Sequence, residues 1–126
     1  MLLTFYECNY RCFQYQNMDR WVDVKHNIKK HGVEEYVALI RGDHNITLEN
    51  FHAKAGLTFI DGDHSISSVV RDFQQAWRLT VDGGYIAFHD YDNPVCPDVA
   101  PVVDVLEKKY SLEHVCSAKT MKIFKK

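Results

Sequence analysis

Glycine is scarce in this chain of 126 residues: there are six, and none are spaced as a GxGxG cluster. No segment therefore makes the glycine-rich turn that lets backbone close tightly around a ligand. An excess of positive charge is also missing. Fifteen Lys and Arg stand against 17 Asp and Glu, for a net charge of -2, which argues against nucleic acid as a partner. No apolar run reaches the roughly 18 residues that span a bilayer, so no membrane partner is expected. No leader peptide is visible, because the apolar start Met1–Phe5 is short and Glu7 follows at once. The four cysteines, Cys8, Cys12, Cys96 and Cys116, form no CxxC pair. Without a leader they are expected to be reduced thiols in a cytoplasmic protein. For the same reason the acceptor pattern Asn45-Ile46-Thr47 carries little weight. The length suits a single domain over 1–126, and the chain is 46% hydrophobic and 25% charged, as ordinary globular folds are.

What is present is concentrated at two places. Leu57-Thr-Phe-Ile60 reads as a buried strand that ends in Asp61-Gly62-Asp63-His64-Ser65. Gly83-Gly84-Tyr-Ile-Ala-Phe88 reads as a second, ending in His89-Asp90-Tyr91-Asp92-Asn93. In an open α/β sheet, ligands bind beyond the carboxyl ends of the strands. Two strands that both deliver acids and imidazoles at that end predict a site.

The rest of the chain alternates. Leu2–Tyr6 is apolar and predicts a strand, and Asn9–Asn17 a loop. Asp19 starts a helix with Trp21, Val22, Val24 and Ile28 on its apolar face, ended by His31-Gly32. Tyr36–Ile40 predicts a strand running to Gly42-Asp43, and Asn45 or Thr47 a short helix carrying Leu48 and Phe51. After Ser65 as cap, Ile66, Val69, Val70, Phe73 and Trp77 follow the helical period. Asp82–Gly84 predicts a turn and Tyr91–Pro97 a loop. A helix over Val99–Lys109 offers Val102, Val103, Val105 and Leu106 to the core. Leu112–Cys116 and Met121–Phe124 predict an antiparallel hairpin. Strands alternating with helices predict an α/β fold: a mostly parallel sheet with helices on both faces, closed by that hairpin.

The string Phe59-Ile-Asp61-Gly-Asp63-His64-Ser65, then Val69-x-Arg71-Asp72-Phe73, Trp77 and Gly83-Gly84-x-Ile86-Ala-Phe88-His89-Asp90-Tyr91 resembles the class I S-adenosylmethionine-dependent methyltransferases. The small-molecule O-methyltransferase-like subgroup, with its sugar and macrolide relatives, is the nearest. Asn27-Ile-x-Lys-x-x-Gly32-Val33 and Val37-x-Leu-Ile40-x-Gly42-Asp43 resemble the helix and strand before that core. The resemblance implies a Rossmann-like sheet and the cofactor S-adenosylmethionine. It also implies that Leu2–Glu7 stands for the family's second strand, so that the first strand, its helix and its glycine-rich turn are lacking. Either something fills the gap this leaves beside the Asp61 strand, or the chain is a fragment of a longer product; an unfilled edge would be a place for strand addition or a homo-oligomer.

By the same resemblance Asp61 and Asp90, with Asn93 or Asp92 nearby, would bind Mg²⁺ through hard oxygens. His64 would act as general base beside Asp61. Glu7 would hold the ribose hydroxyls of the cofactor, Asp43 its adenine, with Asp61 at the same site. Asp63 is expected to cap the following helix, and His89 is a metal ligand, a substrate contact or a core residue. The implied reaction is methyl transfer to a hydroxyl of a small molecule or sugar. Two readings from other classes stand beside it: a non-catalytic methyltransferase-like domain serving binding or assembly, and a metal-dependent hydrolase using Asp61 and Asp63.

Overall fold

The computed structural model describes residues 2–6, 20–40 and 44–126. Three parallel strands, β1 (Leu2–Tyr6), β2 (Ala55–Asp61) and β3 (Thr80–Phe88), continue into the antiparallel pair β5 (Met121–Lys125) and β4 (Glu113–Ala118), in the order β1-β2-β3-β5-β4. Four helices accompany them: α1 (Arg20–Lys30), α2 (His44–Thr47), α3 (Ile66–Leu79) and α4 (Val99–Tyr110). The mixed sheet with its closing hairpin is the Rossmann-like arrangement expected.

The core follows the helical period of α3. Val69, Phe73, Ala76 and Leu79 are buried against Ile60 of β2, Ile86 and Phe88 of β3, and Phe124 of β5. Those strand residues share one face because side chains alternate along a strand. α4 adds Val99, Val102, Val103 and Leu106. Trp77 is half-buried and meets Phe73 and Tyr110, ring centroids 5.9 and 5.0 Å away. Two expected core positions face solvent instead: Ile66, on the first turn of α3, and Val105, on the outer side of α4. Of the apolar face expected on α1, Val22 and Val24 are exposed and Ile28 is half-buried; the Trp21 side chain lies outside the described residues.

One alternative left by the sequence is decided and one expectation is corrected. The place beside the Asp61 strand is not open. β1 fills it, with Leu2 opposite Leu57 and Tyr6 opposite Asp61. A bare strand edge leaves a row of unpaired backbone groups, and the apolar run Leu2–Tyr6 satisfies them. The strand expected over Tyr36–Ile40 does not form. Glu34–Tyr36 is a 3₁₀ turn, and the chain beyond it pairs with no strand among the described residues. Its apolar content promised burial, yet Tyr36, Val37, Leu39 and Ile40 stay exposed, and a strand is stabilised by cross-strand neighbours it lacks here.

The Asp82–Gly84 turn is a bulge within β3. Gly84 has no room for a side chain there: a Cβ would lie 2.8 Å from Thr80 Cγ2 and 2.9 Å from the carbonyl oxygens of Gly56 and Val81. No helix among the described residues is long and apolar enough to cross a membrane.

The burial pattern makes a direct prediction. Phe73→Ala should lower unfolding stability by about 3–5 kcal/mol, whereas Ile66→Ala should change it by less than about 0.5 kcal/mol. Urea denaturation of both variants checks this; equal losses would mean that α3 is rotated from the position described.

Candidate active site

The site starts from strand register. Ile60 of β2 stands opposite Phe88 of β3, and the His89 N–H donates to the Ile60 carbonyl at 2.9 Å. The next residues of both strands, Asp61 and His89-Asp90, therefore leave the sheet side by side. Asp90 takes a left-handed backbone conformation (φ 56°), which asparagine and aspartate tolerate better than most residues.

Asp90 is the hub. Its Oδ2 lies 2.8 Å from His64 Nε2 and 3.0 Å from His89 Nδ1. Its Oδ1 accepts from the Asn93 side-chain amide at 2.6 Å. Burial pushes the Asp90 carboxyl up, but Asn93, His89 and His64 together hold it below its ordinary value of 3.8. Asp61 Oδ1 lies 3.4 Å from the same His89 nitrogen. That nitrogen is buried, and by geometry neither carboxylate makes a directed hydrogen bond to it. Cys96 is buried close by. Burial first, then the charges of Asp90 and Asp61, push its thiol up, which keeps it protonated.

Asp63 belongs to the helix, not to this cluster. Its Oδ2 accepts from the Ser65 and Ser68 hydroxyls, each at 2.8 Å. The Ser65 bond leads the causes that hold Asp63 below 3.8. Ser65 stands at the N-cap position with extended backbone, but its hydroxyl goes to Asp63 and makes no side-chain cap bond. The acid at the start of α3 serves that helix end instead. Gly62, between Asp61 and Asp63, packs against Asp72: a Cβ there would come 2.5 Å from Asp72 Oδ2 and force that carboxylate to shift. On the far side, Tyr91 fixes the loop: its N–H donates to Thr120 O at 2.9 Å and its hydroxyl to Asp104 at 2.9 Å. Lys122 joins Tyr91, Asp104 and Glu107 at 3.2, 3.2 and 2.8 Å. Burial works against its charge, but Glu107, Tyr91 and Asp104 raise its pKa above the ordinary value.

Of the residues expected at the site, Asp61, His64 and Asp90 come together. Asn93 supports Asp90 with its NH₂ group while its oxygen accepts the Val95 N–H at 3.0 Å; it orients the carboxylate rather than presenting an oxygen beside it. Glu7 and Asp43 lie outside the described residues. Cys96 was not expected, since a lone thiol in a proline-flanked loop carries no sequence signal for a site. The donor atoms of Asp61, His89 and Asp90 lie within 4.8 Å of one another, as do those of His64, Asp90 and Cys96. The spacings of 3.0 and 3.4 Å at His89 fit neighbouring ligands of an ion bound at about 2.1 Å, which are about 3 Å apart in an octahedron. The residues present thus fit a divalent cation. The cleft between them, lined by Ile60, Asp61, His64, Val69, Phe88 and His89 among others, has a volume of about 10 Å³, room for a single water.

A family profile described as a methyltransferase domain matches residues 2–91. An uncharacterized protein of Acanthamoeba polyphaga mimivirus is 41% identical over 61 residues, covering 44% of this chain and 28% of its own length. Among solved structures, the O-methyltransferase NovP aligns with a TM-score of 0.70 at 20% identity, over 83% of this chain and 44% of NovP. CalS11, a TDP-rhamnose 3'-O-methyltransferase of calicheamicin biosynthesis, aligns at 0.69 and 13% identity, over 97% and 56%. The methyltransferase PaMTH1 of Podospora anserina, bound to S-adenosylhomocysteine, aligns at 0.57 and 15% identity, over 98% and 59%. The chain spans about half the length of these structures and less than a third of the viral protein. At such identities the structural likeness establishes the shared fold.

The hub yields a titration prediction. A carboxyl held below 3.8 in the folded state stabilises the fold above that pH and loses this contribution as pH falls through the folded value. Asn93→Ala removes one of the groups that holds it down. Carboxyl NMR should show the Asp90 midpoint moving up in the variant, with a smaller stability loss in acid; an unchanged midpoint would show that Asn93 does not support the charge.

Proposed function

Because this chain belongs to the methyltransferase-domain family, we propose that it transfers a methyl group from S-adenosylmethionine to a hydroxyl of a small molecule or sugar, with Mg²⁺ assistance. The observation that carries the reading is the convergence of Asp61, His64 and Asp90 at the carboxyl ends of two adjacent parallel strands. S-adenosylmethionine supplies an electrophilic methyl carbon; the new C–O bond forms as the C–S bond breaks, and the hydroxyl proton must leave. His64 is the base for that proton. Its Nε2 is engaged by Asp90 at 2.8 Å, which leaves Nδ1 free to accept. The side chain is 43% exposed, so an acceptor can reach it. Once protonated, the imidazolium is stabilised by the Asp90 carboxylate, as an orienting acid stabilises a catalytic histidine. Asp90 stays ionised for this because Asn93 and the two histidines support its charge. A Mg²⁺ held by Asp61 and Asp90, whose carboxylate Asn93 orients, would make the acceptor hydroxyl more acidic. By the family resemblance Glu7 would hold the ribose hydroxyls of the cofactor and Asp43 its adenine, with Asp61 at the same site.

One observation favours a second reading, a non-catalytic binding or assembly domain. Val22, Val24, Tyr36, Val37, Leu39 and Ile40 are all exposed in one stretch, more apolar surface than isolated solvent-facing residues explain. Light scattering separates the two: a monodisperse monomer that binds S-adenosylhomocysteine one to one excludes the assembly reading.

Titration calorimetry with S-adenosylhomocysteine should show stoichiometric binding, and absence of both heat and thermal shift would defeat the enzyme reading. His64→Ala should lower the methyl-transfer rate by about 10²–10⁴ while S-adenosylhomocysteine affinity holds. Equal loss of both would assign His64 a structural role.

A further inference from the structure

We propose that His89 is a third ligand of the cation site at Asp61 and Asp90, and that its nitrogen makes this site favour a transition-metal dication over Mg²⁺. The inference rests on the reading that these two carboxylates hold a cation, and it changes which cation. Its basis is the geometry of one atom. His89 Nδ1 lies 3.0 Å from Asp90 Oδ2 and 3.4 Å from Asp61 Oδ1, is buried, and makes no hydrogen bond to either. The nitrogen thus lies in the gap between both carboxylates. The ring is held in that position independently of any ion: the backbone N–H is tied to Ile60 O at 2.9 Å and Phe59 packs edge-on, ring centroids 5.9 Å apart.

The donor set then decides the metal. Mg²⁺ takes oxygen ligands and keeps its waters, whereas imidazole suits Mn²⁺, Fe²⁺, Co²⁺ and Zn²⁺ progressively better. Around Asp90 the further nitrogen donor within reach is that of His64. The side-chain oxygen that could have hardened the set, that of Asn93, accepts the Val95 N–H. Imidazole nitrogen beside two carboxylates describes a borderline site rather than a hard one.

Titration calorimetry of the full chain with CoCl₂ and separately with MgCl₂, on wild type, His89→Ala, His64→Ala and Asp90→Asn, tests this. Co²⁺ affinity should fall about tenfold or more in His89→Ala, with Mg²⁺ affinity changed less than about threefold. Proton NMR of the Co²⁺ form should show a paramagnetically shifted, exchangeable imidazole N–H that persists in His64→Ala and vanishes in His89→Ala. If His89→Ala does not fold, selective ¹⁵N-histidine labelling of wild type assigns that resonance without it. Equal Co²⁺ and Mg²⁺ losses, or a shifted resonance belonging to His64, would overturn the role of His89 while leaving a cation at Asp61 and Asp90. Absence of binding by either ion in wild type would overturn the cation site itself.

Discussion

Everything chemical in this molecule depends on the register of β2 against β3. Between Ala55 opposite Thr80 and Leu57 opposite Tyr85, β2 advances two residues while β3 advances five. The bulge at Val81–Gly84 absorbs the difference, with Gly83 in the left-handed region (φ 78°) and Gly84 against the Gly56 carbonyl. Only after that adjustment do Ile60 and Phe88 stand level on the core face, so that Asp61 and His89-Asp90 emerge together. A slip of one residue would turn Ile86 and Phe88 out of the core as well as separating the carboxylates. The hydrophobic core and the site thus fix the same register.

Charge is organised in two layers behind this register. The inner layer is Asp90 with His64, His89 and Asn93, where a buried carboxylate is kept ionised by neighbours contributed from two segments. The outer layer is Lys122 with Asp104, Glu107 and Tyr91, which ties β5 and α4 to the residue after Asp90. A buried lysine is costly unless paired, and here its partners also anchor the loop by which Asp90 turns away from the sheet. Tyr91 belongs to both layers in sequence, but its side chain serves only the outer one.

Local pattern carried much of this from the sequence, and its failures share one cause. The strand ends at Asp61 and Asp90, the period of α3 and the closing hairpin were legible because apolar spacing and turn residues set them locally. The position of Leu2–Tyr6 was not, because which edge a short apolar strand joins depends on what else is available to pair. Tyr36–Ile40 failed for the converse reason: its composition suits a strand, but pairing belongs to the tertiary fold. Ile66 and Val105 obey their helical periods only approximately, at the margins of the buried faces. At the site, residue types at strand ends gave Asp61, His64 and Asp90. The support given by Asn93, the approach of Cys96 and the gap that His89 occupies arise from the loop's return path, which no spacing rule encodes.

The parts of the structure that hold these groups are few. β2, β3, the start of α3 and the loop to Val99 supply the acids, the imidazoles and the hydrogen bonds that orient them, and among the described residues the core beneath them draws mainly on β2, β3, β5, α3 and α4. α1 shares little in that core, with Val22 and Val24 exposed. Among the described residues, the hydrogen bonds that orient this cluster of acids and imidazoles all come from residues after 44. Preorganised donors cost no rearrangement at the moment of reaction. A hub carboxylate already held ionised beside a positioned histidine is ready for a proton or a cation, and whichever arrives must compete for the same Asp90 oxygen. On the proposed reading, a cation drawing on Asp90 Oδ2 would weaken the contact that orients His64, so base and cation would be coupled through one oxygen.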